Sequence, residues 1–183
     1  MNRRSFLIQT GSTITATSTL FSLNIDAATL SNLQTIQGAW LSQQQWQTLA
    51  VVQEHLFPSE SDAPGAKEIQ ATHYLNVMLT HPKSDATERD LIKNGIVQID
   101  KIAQDSYSKY FTLLSTEQRE AVLRHLETEK SGKQWIRLLL EYIFEALLSD
   151  PIYGGNPNGI GWKWLAHQPG FPAPPKNKRY YLL

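Results

Sequence analysis

The chain has 183 residues, 17 basic and 17 acidic side chains, and no cysteine. Zero net charge leaves no basic surplus to neutralise phosphates, which argues against nucleic acid as a partner. The missing cysteine excludes disulfides, thiolate-ligated zinc, iron–sulfur clusters and haem attached through C-x-x-C-H. The fold must then rest on apolar burial, for which five Trp, seven Tyr and six Phe supply large areas.

Met1-Asn2-Arg3-Arg4-Ser5-Phe6-Leu7 sets two adjacent arginines before a mild apolar run. Arg3, Arg4, Phe6 and Leu7 in that order read as a twin-arginine export signal, the address of a route that moves folded proteins. Residues 8–25 carry no charge, yet Ser and Thr recur from Thr10 to Ser22. A bilayer span needs about 20 predominantly apolar residues, and this run is too rich in hydroxyls to sit stably in hydrocarbon. The expectation is a signal peptide over 1–28, a polar linker over 29–40 and a helical domain over 41–183. Ala27-Ala28 marks a cleavage region, but Ile25 or Asp26 stands where a small residue belongs. The cleavage point and a retained N-terminal anchor both stay open on these residues.

Ser42 suits an N-cap for a helix over 43–57, where Trp46, Leu49, Ala50, Gln53 and Phe57 recur at helical spacing; Pro58 stops it. Asp62, with Pro64 in the first turn, predicts a second helix running to about Thr80, burying Ile69, His73 or Tyr74, Val77 and Met78. His81-Pro82 ends it. Asp85 and Glu88 resemble a capping box for a third helix. Its apolar face is Ile92, Ile96, Ile99, Ala103, Tyr107 and Tyr110, and its opposite face is Lys93, Asp100, Lys101 and Lys109.

Ser115 and Gln118 form a second capping box, opening a helix through Ala121, Val122 and Leu126 that Ser131-Gly132 is expected to break. Trp135–Leu148 is apolar on nearly every side, with Arg137, Glu141 and Glu145 on one stripe. Such a helix belongs in the middle of a bundle or under a partner. No segment alternates as a strand. The fold class is therefore all-α: a single bundle-like domain of about five helices. It closes on an irregular Gly/Pro/aromatic-rich C-terminal segment, expected to be extended because Pro169 to Pro175 is unsuited to helix.

Chemistry-bearing patterns are few. Gly154-Gly155 and Gly159-Ile160-Gly161 lack the strand before and helix after that a dinucleotide fingerprint requires. Their bland reading is tight turns around Tyr153 and Trp162. His55, His73, His81, His125 and His167 match no metal-ligand spacing, although haem ligation by a histidine pair stays open. No G-x-S-x-G elbow is present. Glu141 and Glu145 are the best acid/base pair on offer, and they read more simply as a polar seam with Arg137. Tyr153, Trp162, Trp164 and Phe171 have two equal readings: they clasp this domain's own helices, or they anchor a partner.

Several of these pieces resemble one family, the small subunit of gluconate 2-dehydrogenase (subunit 3, or gamma), with relatives in sorbitol- and fructose-type dehydrogenases. The pieces are Leu56-Phe57-Pro58, Asp62-Ala63-Pro64-Gly65-Ala66, Asp150-Pro151-Ile152-Tyr153-Gly154-Gly155-Asn156, Gly161-Trp162-Lys163 and Pro169-Gly170. The likeness runs from about Trp40 to Pro175, and Lys176–Leu183 has no counterpart in it. The resemblance implies a non-catalytic chain with no cofactor of its own. It implies an FAD-dependent large subunit of the glucose–methanol–choline type, often completed by a cytochrome c subunit carrying haem c. The leader would carry the folded flavin subunit through the twin-arginine translocase into the periplasm, where the complex meets the membrane only indirectly. On that view Tyr153, Gly154, Gly155, Asn156, Trp162, Trp164 and Phe171 are candidate partner contacts. Two other readings stand beside it: an export chaperone released after translocation, and an independent helical metal- or haem-binding protein.

Overall fold

The computed structural model describes residues 40–82, 84–170 and 175. The leader calls at Arg3, Arg4, Phe6 and Leu7, the linker up to residue 39, Phe171 and Lys176–Leu183 lie outside the described residues. Six α-helices follow in order: α1 (Gln43–Leu56), α2 (Ala71–Thr80), α3 (Ala86–Tyr107), α4 (Thr116–Glu127), α5 (Lys130–Leu148) and the short α6 (Ile160–Trp164). Among the described residues there is no strand, only an isolated bridge between Glu60 and Ala63. The all-α expectation holds, with five long helices and one short one.

Both Ser-led capping boxes are present and reciprocal. Ser42 accepts from Gln45 N while the Gln45 side chain accepts from Ser42 N, and Ser115 and Gln118 repeat the exchange at α4. Each cap satisfies two otherwise orphaned amides. Asp85 also caps α3, accepting from Thr87 N at 2.8 Å, but Glu88 does not return the bond. Its carboxylate is taken by Tyr142 OH instead.

Three expectations are corrected. The second helix starts at Ala71, not near Pro64. The Glu54 carboxylate accepts from Ser59 N and Lys67 N, and that of Glu68 accepts from Ser59 Oγ and Gly65 N. These bonds fold residues 58–70 into a compact loop whose amides are satisfied without a helix. Ser131-Gly132 does not break a helix either; it lies in the first turn of α5. Gly132 serves close packing there, since a Cβ would come within 1.9 Å of Leu126 O. Asp100, placed on the solvent face of α3, instead turns inward to accept from Phe111 N (3.1 Å) and Thr48 Oγ1 (3.3 Å).

The core runs along α5, which touches every other helix. Ile92, Ile96 and Ile99 of α3 are fully buried, as are Leu139 and Ile143 of α5. Each such side chain stabilises the fold by about 1.5–3 kcal/mol. Trp135 lies across Gly95 and donates Nε1–H to Ile92 O at 3.1 Å, so a buried ring leaves no orphan donor. Trp40, at the end of the expected linker, packs edge-on against Trp46 at 5.3 Å between centroids.

Candidate functional site

The last carbonyls of α5 have no donor within the helix, and the segment after it supplies them. Asp150 accepts from Ile152 N at 3.0 Å and opens a single 3₁₀ turn, Pro151–Tyr153. Proline fits the first position, where its missing N–H is not needed. Gly154, at φ 90°, closes the turn by donating to Pro151 O.

Asn156 is the hub. It is fully buried and holds a left-handed backbone (φ 49°), which asparagine adopts more readily than most residues. Its Nδ2 donates to Ser149 O (3.0 Å) and its Oδ1 accepts from Gly161 N (2.7 Å). Its own N–H donates to Ile69 O (3.0 Å), and its carbonyl accepts from Gly159 N (2.9 Å). One residue therefore ties the end of α5, the start of α6 and the 58–70 loop together. Gly161 permits that approach, because a Cβ there would lie 2.2 Å from Leu147 O. Gly155 is buried beside Ala146 in the same way.

The aromatic residues close the arrangement. Trp162 donates Nε1–H to Leu148 O at 2.7 Å. Trp164 packs edge-on against Phe57 at 6.5 Å, and Phe57 meets Phe144 at 6.2 Å. Tyr153 packs partly buried against the core. The segment is thus a run of short helical turns, not the extended stretch expected, because Asp150 and Asn156 provide turn-closing side chains between the prolines. Tyr153, Gly154, Gly155, Asn156, Trp162 and Trp164 form one contiguous clasp.

Sequence reasoning missed the surface beside it. α5 presents Phe144 (45 % exposed) and Leu148 (51 %) to solvent, one turn apart, and Leu165 (41 %) follows α6. With the Phe57 and Trp164 rings behind them, they make an apolar stripe on an otherwise buried helix. The available signal was the ring of apolar residues around Trp135–Leu148, more than one bundle has room to cover.

The polar seam is also rearranged. Arg137 pairs with Glu141 at 3.0 Å on the exposed face. Glu145 instead accepts from Tyr74 OH at 3.2 Å, beside the Tyr142–Glu88 bond. Burial, reinforced by the charges of Glu88 and Glu141, pushes the Glu145 carboxyl above the ordinary glutamate range, against the Tyr74 hydrogen bond. Burial and the bond to Glu88 push the Tyr142 phenol up as well. The histidines are scattered. His55 pairs with Glu120 at 3.0 Å, and partial burial holds His73 below its ordinary value. Among the described residues, no three His, Asp or Glu side chains gather closely enough to hold a metal ion. No described helix is long and apolar enough to cross a membrane.

The family model of gluconate 2-dehydrogenase subunit 3 matches residues 43–170. The chain belongs to that family. The match begins with the first residue of α1 and ends just past the clasp, so it takes in every helix. No curated protein and no solved structure matches the chain. For a member of the subunit 3 family, the six clasp residues acquire a definite internal job: they finish the C-terminal end of the central helix. That job and partner contact are compatible, because the exposed stripe of Phe144, Leu148 and Leu165 lies on the same end of α5.

Proposed function

We propose that this chain is the non-catalytic small subunit of an exported FAD-dependent dehydrogenase complex of the glucose–methanol–choline type, acting on a sugar, sugar acid or polyol. The observation that carries the reading is the family match across residues 43–170. The part played is physical. The subunit covers apolar surface of the flavin subunit, stabilises it by mass action, and carries Arg3, Arg4, Phe6 and Leu7 as the export address for both chains. The periplasm is the destination, and a cytochrome c subunit with haem c completes the complex.

The stripe of Phe144, Leu148 and Leu165 supports this reading. Exposed large apolar residues that lie together mark interaction surfaces more than stability. Trp162 and Trp164 border the same end of α5 and are the aromatic anchors that such a surface uses. The test is purification of a C-terminally tagged chain from its native host. The captured material is expected to show flavin absorbance and alcohol- or sugar-dependent dye reduction, while the chain expressed alone shows neither. A tightly held prosthetic group or any turnover in the isolated chain overturns the proposal.

A further inference from the structure

The contact between α2, α3 and α5 contains two phenol–carboxylate bonds lying side by side. Tyr74 OH of α2 donates to Glu145 of α5, and Tyr142 OH of α5 donates to Glu88 of α3. Tyr142 is buried and Glu88 half-buried, so both bonds sit where water competes poorly. Two carboxylates thus face one small volume without a cation between them. The cations nearby are already engaged: Arg137 holds Glu141, and Arg89 of α3 donates to Leu79 O. His73, the other titratable group of α2 on this side, has its ring against Gly154. A hydrogen-bonded pair of this kind is neutral only if one carboxyl keeps its proton. The alternative places two like charges in a partly desolvated contact, which disfavours ionisation of one of them.

We propose that the Tyr74–Glu145 and Tyr142–Glu88 pairs form a proton-set clasp, in which a proton on Glu145 tightens α2 and α3 onto α5 and its loss loosens them. Geometry carries this: three helices, two phenols, two acids and no counter-ion. The upward displacement of the Glu145 carboxyl agrees with it. A carboxyl held above its unfolded value makes the folded state the better proton binder. Its stabilising contribution is therefore full at low pH and is lost as pH rises through the folded value. The chain should be firmer in a mildly acidic compartment than in a neutral one, opposite to the acid sensitivity expected of salt-bridged carboxylates.

The test is urea unfolding of the full chain, followed by tryptophan fluorescence, at steps from about pH 5 to about pH 8. The wild-type midpoint is expected to fall across that range. Glu145→Gln keeps an acceptor for Tyr74 and removes the titration, so its midpoint should not follow. Tyr74→Phe removes the bond that favours the ionised form, so its fall should be steeper than wild type. Equal pH slopes for wild type and Glu145→Gln overturn the proposal. Should Glu145→Gln fail to fold, carboxyl-labelled glutamate in the wild-type chain gives a second reading by NMR. One resonance must then titrate above the ordinary glutamate range, and its absence is equally fatal. None of these outcomes depends on whether a flavin subunit binds.

Discussion

Replacing Asn156 by alanine is the sharpest probe of how the central helix is finished. The change strips Ser149 O and Gly161 N of their partners. Each buried group left unpaired costs about 1–3 kcal/mol. Alanine must also hold the left-handed backbone at φ 49°, which adds about 1–2 kcal/mol. The two effects together come to about 3–6 kcal/mol, taking the half-buried Ser149 carbonyl at the low end. Domains of this size have about 5–15 kcal/mol in all, so the variant should be close to the edge of folding. With a urea dependence of about 2 kcal/mol/M, the midpoint drops by about 1.5–3 M. Asn156→Gly separates the contributions, since it relieves the backbone but not the two missing bonds, and it should recover only about 1–2 kcal/mol of the loss. A midpoint for Asn156→Ala within about 1 kcal/mol of wild type would refute the claim that this side chain joins α5, α6 and the 58–70 loop.

Four other outcomes are expected. Gly95→Ala puts a methyl within 2.3 Å of the Trp135 ring, so thermal unfolding should show a loss of about 1–3 kcal/mol from overpacking. The double variant Phe144→Ser, Leu148→Ser removes exposed groups, so the chain's own unfolding midpoint should hold while retention of the flavoprotein on an affinity column falls about tenfold or more. Burial raises the Asp100 carboxyl despite hydrogen bonds from Phe111 and Thr48. Its folded form is therefore the better proton binder and loses stability as pH rises through the raised value, and Asp100→Asn should flatten that part of the stability–pH curve. Exchanging Arg3 and Arg4 for lysine should leave the chain and the flavin enzyme in the cytoplasm, which fractionation and dye-reduction assays read directly.

Much of the fold was legible because local signals and packing agree. The Ser42 and Ser115 boxes announce α1 and α4, and the Ile92–Ile96–Ile99 series announces α3 through its period alone. The start of α2 was not legible, because the acceptors that hold the preceding loop are Glu54 on α1 and Glu68 in the loop itself, and nothing local says that they will serve it. Asp100 looked like a solvent-face charge because its donor, Phe111 N, lies beyond the end of the helix. The clasp residues stood out as a group, yet their arrangement did not, since Asn156 works through Ile69, Ser149 and Gly161 at once. The apolar stripe of Phe144 and Leu148 was hidden inside a helix that reads as core throughout.

The bond from Asn156 to Ile69 has a temporal side. While the ribosome is still making residues past α5, the 58–70 loop lacks the amide that fastens it and the central helix has bare carbonyls at its end. The molecule can reach its finished shape only when almost all of it has emerged, so a partly synthesised copy offers neither a settled core nor a settled outer surface. Anything that inspects clients for completeness before moving them would find this one either done or plainly unfinished.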